Sequence, residues 1–104
     1  MSDDWKGEIA RRLKERDRRR RDVERWTDKI DAVVFKLLNE LKFEYHLRTK
    51  YRFGAAVGSG PRWMIAIEDV EHELTSADFE QPVRDERDVE TAVVRFLLER
   101  FTFR

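Results

Sequence analysis

The chain has 104 residues, of which 42% are charged, yet its formal net charge is zero, so the sequence predicts one unusually ionic domain. Apolar runs such as Ala32–Phe35 and Met64–Ile67 are far shorter than the roughly 20 residues of a membrane-spanning helix, and the lack of cysteine excludes disulfides, thiol nucleophiles and cysteine zinc sites. The N-terminus has no apolar core typical of a secretory signal, so we expect a cytoplasmic protein that does not enter a membrane.

The first predicted element is a long helix over residues 8 to 42, a segment rich in Arg, Lys, Glu and Leu that contains neither Gly nor Pro. Heptad positions near its start are apolar at Ile9 and Leu13, but Arg16 and Arg20 interrupt the pattern. Beyond that interruption the apolar stripe is dense, with Trp26, Ile30, Val33, Val34, Leu37, Leu38 and Leu41. We therefore divide the chain into a charged helical extension, residues 1–22, and a single α+β domain, residues 23–104.

The length of this helix raises a problem for a small domain. About 35 helical residues span about 52 Å, whereas a compact chain of this size has a radius of gyration near 13 Å. The helix must therefore bend or fray near the arginines, or project and pack on another chain. The sequence leaves open whether residues 8–22 are ordered.

Residues 43 to 57 alternate between apolar and polar side chains with a period of two, which predicts a strand. A turn around Gly58–Pro61 leads to a second strand over residues 62 to 70. Matching of the apolar faces predicts the pairs Phe53–Ile67 and Ala55–Ile65. The residues expected to face the helices are Tyr45, Leu47, Tyr51, Phe53, Trp63, Ile65 and Ile67, while His46, Arg48, Lys50 and Arg52 are expected to face away.

Residues 71 to 85 show no clear period, although Thr75 or Ser76 is a suitable cap for one short turn through Phe79. A third strand over residues 78 to 84 is an open alternative that Pro82 would restrict to a sheet edge. Asp85 is a good N-cap for a last helix that should run to the end of the chain. Its apolar stripe is Val89, Ala92, Val93, Phe96 and Leu97. The fold class is therefore α+β in the order α-β-β-α, with both helices packed on one face of an antiparallel hairpin.

The zero net charge hides two oppositely charged segments. Residues 11 to 21 contain eight basic side chains against two acidic ones, whereas residues 68 to 90 contain ten acidic side chains against two basic ones. Such blocks are typical of interaction surfaces, and equally of a solvated face in which neighbouring charges pair.

The basic residues are candidate contacts to phosphates or to a partner protein, because Lys and Arg supply the salt-dependent affinity for nucleic acid. An isoelectric point near 6.8 is below the value expected of a dedicated nucleic-acid binder. The candidates are Arg11, Arg12, Arg18, Arg19 and Arg21 on the first helix and Arg48, Lys50 and Arg52 on the first strand.

Trp5 precedes the charged helix and has no apolar stripe of its own in this interpretation, which makes it the best candidate for an interface anchor. A two-stranded sheet is also marginal by itself and leaves its edges open. We therefore expect a homo-oligomer, with a dimer favoured, built on the first helix and the strand edges.

No residue pattern points to catalysis. His72 lies among carboxylates, but its spacing matches no established metal site, and the glycines suit a hairpin rather than a phosphate-binding loop. We expect no catalytic, metal or cofactor-binding residue. The function that the sequence favours is a small non-enzymatic module that self-associates or binds a partner, and the alternative is a nucleic-acid-binding accessory protein; the sequence identifies neither partner nor pathway.

Overall fold

The α+β class predicted from the sequence is confirmed by a computed structural model, which describes residues 4–56 and 60–103. In chain order, two N-terminal helices precede a three-stranded antiparallel sheet of order β1-β2-β3, and one C-terminal helix follows it. The elements are α1 (Asp4–Arg25), α2 (Thr27–Tyr45), β1 (Thr49–Ala56), β2 (Gly60–Ile67), β3 (Val70–Leu74), one 3₁₀ turn (Ser76–Asp78) and α3 (Glu86–Arg100).

The long first helix is ordered over its charged part and is interrupted at Trp26, which separates α1 from α2. The Thr27 hydroxyl donates to the carbonyls of Val23 and Glu24, at 2.8 and 3.1 Å. Such hydrogen bonds from Thr to the preceding turn bend helices. The interruption therefore lies at Trp26, five residues beyond the arginine run where a bend was one of the expected outcomes.

The prediction that a strand begins at residue 43 is wrong, because α2 continues through Tyr45. His46 then adopts the left-handed conformation, with φ 56°, and the Leu47 N–H donates to the Leu41 carbonyl at 3.3 Å. This is the usual way in which a left-handed residue ends a helix. Tyr45, expected to face the helices from the sheet, instead lies exposed on the last turn of α2.

The hairpin of β1 and β2 forms, but its register differs from the predicted one by four residues along β2. Phe53 pairs with Trp63 rather than with Ile67, and Ala55 pairs with Pro61 rather than with Ile65. The observed register pairs every residue of β1 and brings the rings of Phe53 and Trp63 to 5.2 Å between centroids. Aromatic pairs of this kind stabilise neighbouring strands. The even shift leaves every side chain on its predicted face.

The third strand is β3, and the alternative over residues 78 to 84 is wrong. A two-residue turn at Glu68 and Asp69 reverses the chain. β3 then pairs with β2 in a register that runs from Val70 opposite Ile67 to Leu74 opposite Trp63. Thr75 then caps the 3₁₀ turn, as expected, by accepting from the Ala77 N–H at 3.3 Å.

The sheet has a helix face and an open face. The helix face carries the odd-numbered side chains of β1 and β2, and on it Trp63, Ile65 and Ile67 are buried beneath the helices. The indole N–H of Trp63 donates to the Asp31 carboxylate of α2 at 3.1 Å, which satisfies the only polar atom of this buried side chain. The open face carries Lys50 and Arg52 of β1, Met64 of β2, and Glu71 and Glu73 of β3, in agreement with the expected orientation of the basic strand residues.

The C-terminal helix agrees with the sequence at its start and differs at its end. The Asp85 side chain accepts from the Asp88 N–H at 3.0 Å, and the predicted apolar stripe of α3 is buried. The helix ends at Arg100, not at the end of the chain, because Phe101 turns into an extended conformation. Phe101 is buried there and its ring packs edge-on against His72 of β3, with centroids 5.0 Å apart.

The left-handed His46 predicts a stabilising substitution. A non-glycine residue in this conformation costs about 1–2 kcal/mol, so His46→Gly should raise the free energy of unfolding by about 1 kcal/mol in urea denaturation. Glu40→Gly, at an exposed position inside α2, is the matched control and should lower it by about 1 kcal/mol. A loss of stability in both variants would contradict the assignment of strain to His46.

Candidate interaction site

The N-terminal half of α1 extends beyond the rest of the protein. The molecule measures 58 Å along its long axis but only 27 and 26 Å across it, and its radius of gyration is 15.7 Å. A compact chain of this length has a radius near 13 Å. Residues 4–7 and 9–14 are exposed, whereas Val23, near the other end of the helix, is completely buried. The helix therefore projects from the domain, which was one of the expected outcomes.

Three large apolar side chains follow one another along this projecting segment, and we call them the α1 stripe: Trp5, Ile9 and Leu13. Their exposed fractions are 60%, 48% and 43%. A spacing of four residues places them on one side of the helix. Trp5 precedes Val23 by eighteen residues, which is about five helical turns, so Trp5 lies on the side of α1 that is buried farther along, and Ile9 and Leu13 are turned from it by about 40° and 80°. The core-facing side of this helix thus continues past the end of the core.

The stripe changes the interpretation of Trp5. From the sequence alone, Trp5 has no stripe of its own, and Ile9 and Leu13 belong to a heptad pattern. The structure aligns all three, and the repeated spacing of four was the signal that would have joined them. The role of Trp5 as an interface anchor stays a prediction.

The arginines of α1 are largely matched by acidic residues of the same helix. Glu8 accepts from Arg11 and Arg12, at 3.1 and 3.0 Å, and these hydrogen bonds, chiefly that from Arg11, lower the pKa of Glu8 to about 2. Glu15 pairs with Arg18 and Arg19, and its pKa is also lowered, mainly by the hydrogen bond from Arg18. Ion pairs between residues three or four apart support the alternative in which the charged side of a helix is a solvated face.

The side chain of Arg18 is held by hydrogen bonds that join two segments of the protein. Its guanidinium donates to the Asp22 carboxylate at 2.8 Å and to the Glu80 carbonyl at 3.0 Å, in the segment that follows the 3₁₀ turn. The same Asp22 oxygen accepts from the Val83 N–H at 3.2 Å. Arg18 and Asp22, each about one-fifth exposed, therefore fasten the segment before α3 to α1. Arg18 is not available to a ligand without loosening this junction.

The basic residues of the first strand also have acidic neighbours. Arg48 pairs with Glu68 at 2.9 Å and with Asp69 at 3.3 Å, beside the turn between β2 and β3. Arg52 approaches Glu71 of β3 at 3.9 Å across the open face. Lys50 and Arg52 therefore form one basic row at β1, and the acidic side chains of β3 form a parallel row on the same face.

The two groups of candidate basic residues do not form one surface. α1 packs against the helix face of the sheet, whereas Lys50 and Arg52 lie on the open face. Of the candidates on α1, Arg21 is exposed, and no ion pair to it is found within the described parts of the chain. The continuous basic surface that nucleic-acid binding would use is therefore divided by the sheet.

Within residues 4–56 and 60–103, no group of three or more His, Asp or Glu side chains is arranged to hold a metal ion. Over the same residues, no helix combines the length and apolar character that spanning a bilayer requires. Comparisons with protein-family models, with curated proteins and with solved structures found no match.

The junction at Arg18 predicts a selective loss of stability. Arg18→Gln removes charge-assisted hydrogen bonds and leaves the Glu80 carbonyl without its donor, so we expect a loss of about 1–3 kcal/mol in the free energy of unfolding. Arg21→Gln removes the same charge at an exposed position and should change it by less than about 0.5 kcal/mol. Equal effects in chemical denaturation would show that Arg18 only contributes charge.

Proposed function

We propose that this protein is a small self-associating module and that the projecting half of α1 is a docking element for a second copy. The observation that carries the proposal is the α1 stripe, an apolar line on a helix that extends past its own core. A short apolar line on an ordered helix surrounded by charge is typical of a helix that packs on another helix.

The exposed area of the stripe supports a weak rather than a permanent contact. Its three side chains expose on the order of 300 Å² of apolar surface, so two copies would bury about 600 Å² through the stripe alone. Stable interfaces bury about 1,200–2,000 Å² in total, and smaller ones are transient. We therefore expect micromolar association through α1, unless another surface adds to it.

Charge favours an antiparallel arrangement of the two helices. When two copies pair about Ile9, Trp5 of one lies opposite Leu13 of the other. Glu8 and Arg12 lie on the same flank of the stripe, so an antiparallel pair sets Glu8 of each copy beside Arg12 of the other. In a parallel pair this flank of one copy would face the opposite flank of the other, so Glu8 and Arg12 would not meet across the contact.

The alternative, nucleic-acid binding by the arginines, has less support from the contacts. Glu8 and Glu15 each engage two of the candidate arginines, and Arg18 holds the segment before α3. A polyanion would have to displace these carboxylates before it gained the same hydrogen bonds. The separation of the helix and strand arginines by the sheet further reduces the surface that one duplex can contact.

The proposal predicts that a charge within the stripe reduces self-association. Ile9→Glu should lower the weight-average mass in sedimentation velocity at high micromolar concentration, because a carboxylate would be buried in the helix contact. Ala10→Glu places the same charge at the next exposed position, away from the stripe, and should keep the wild-type mass.

Two results would overturn the proposal. One is a wild-type protein that stays monomeric at high micromolar concentration, and the other is an equal mass for the Ile9→Glu and Ala10→Glu variants. The same samples test the alternative, because salt-sensitive binding of a generic duplex by the monomer would favour the nucleic-acid function.

A further inference from the structure

The outer edge of β1 is a long and regular strand edge. β1 has eight residues, all of them paired with β2 in one uninterrupted register, so it contains neither a bulge nor a proline. No strand among residues 4–56 and 60–103 pairs with its other side. Proteins usually protect such an edge by shortness, bulges, proline or charge, because its backbone groups are ready to pair with another strand.

The orientation of the backbone identifies the groups at this edge. The Arg48 carbonyl accepts from the Glu68 N–H at 2.8 Å and so points toward β2. Because alternate residues of a strand direct their N–H and C=O groups to opposite sides, the even-numbered residues of β1 bond to β2. The residues whose backbone groups point outward are Thr49, Tyr51, Phe53 and Ala55.

One half-exposed aromatic side chain lies on β1, and a second lies on α2, which packs against β1. Phe53 is 49% exposed, although its ring contacts the completely buried Trp63. Phe35 is 56% exposed and lies one turn after Asp31, whose carboxylate accepts from Trp63. Burial, and secondarily the charge of Asp31, raises the pKa of Tyr51. Each ring leaves on the order of 100 Å² uncovered. The core is therefore open at β1, where the free backbone groups lie.

We propose that β1 pairs with β1 of a second copy, antiparallel and about a two-fold axis at Phe53, to give a continuous six-stranded sheet. In this register Phe53 faces Phe53 and Tyr51 faces Ala55 of the other copy. All of these residues have outward backbone groups, so three residue pairs exchange six N–H···O=C hydrogen bonds. The aromatic rings at the open end of each core then cover one another.

The charges on β1 disfavour the registers whose two-fold axis lies nearer the start of the strand. A two-fold axis at Arg52 would set Arg52 against Arg52, and an axis at Tyr51 would set Lys50 against Arg52. With the axis at Phe53, Arg52 lies opposite Gly54 and Lys50 lies opposite Ala56. The two basic side chains that would otherwise protect the edge then meet small residues, and no like charges face each other.

This pairing adds a second surface to the proposed self-association. It rests on that proposal only because both require a second copy of the chain. The α1 stripe and the β1 edge are separate surfaces, so each can fail without the other. If both are used, four chains assemble through two kinds of two-fold contact.

The test uses the full chain with Ile9→Glu in every sample, so that association through α1 is removed. Masses from light scattering are compared for this parent and for the same chain with Phe53→Glu or Phe43→Glu. Phe43 is another exposed aromatic, on α2 away from β1, and serves as the matched control. We expect a dimer for the parent and the Phe43→Glu variant, and a mass lower by a factor of two for the Phe53→Glu variant.

A second variant keeps the test decisive if Phe53→Glu does not fold. Ala55→Pro removes one outward N–H and leaves the hydrogen bonds between β1 and β2 intact. It should also give a monomer, and amide exchange at Tyr51 and Phe53 should become faster than in the parent.

The inference is overturned if the parent is a monomer, if Phe53→Glu and Phe43→Glu have equal masses, or if mass increases without limit with concentration. The last result would indicate open-ended pairing of β1 with β3 in place of a two-fold. If Ile9→Glu alone leaves the wild-type mass unchanged, the α1 proposal fails, while the result for Phe53 still decides the β1 pairing.

Discussion

The burial of Trp63 in the middle strand is the constraint on which the arrangement of the protein depends. This large side chain is completely enclosed, and its indole N–H can be satisfied only where α2 presents the Asp31 carboxylate. Leaving that group unpaired would cost about 1–3 kcal/mol. The bond therefore fixes how α2 crosses the sheet, and a single residue, Trp26, separates α1 from α2. The direction in which α1 leaves the domain follows from this placement.

The core is small, and it ends before the elements that surround it end. Val23 is the last residue toward the N-terminus that α1 buries, and Phe53 marks the limit of coverage on β1. A chain of this size cannot enclose the faces of a 22-residue helix and an eight-residue strand at once, because its ratio of surface to volume is high. The apolar surface that remains is concentrated at these two boundaries, which is why both are suited to a second copy of the chain.

The many charged side chains of the protein keep the apolar surface at these two boundaries in solution, and they leave it accessible to a second copy of the chain. Along α1, acidic residues one turn from some of the arginines offset part of the positive charge, which weakens the repulsion between the projecting segments of two copies. On the sheet, the basic row of β1 and the acidic row of β3 occupy the open face, and Arg52 reaches Glu71 across β2. The surface charge therefore acts mostly within the chain, and it restricts the orientation of a contact more than it drives one.

The sequence by itself determined the type and order of most elements, because the relevant signals are local. The absence of Gly and Pro predicts the long helix, the period of two predicts the hairpin, and Asp85 predicts the start of α3. The faces of the strands were also correct despite the wrong register, since an even shift keeps every side chain on its side. β3 was missed because its alternation is brief and mixes apolar, acidic and histidine side chains over five residues.

Only the tertiary structure decided where helix α2 gives way to strand, which register the hairpin adopts and which charged residue becomes structural. Phe43 to Tyr45 alternate like a strand, yet they extend a helix that is already formed, and His46 ends it. Phe53 pairs with Trp63, whose ring it contacts, and no periodicity encodes this contact. Arg18 resembles its neighbouring arginines in sequence and differs from them only because the Glu80 carbonyl, more than sixty residues away, lies within reach. These outcomes depend on contacts between distant segments, whose geometry is set by packing rather than by local pattern.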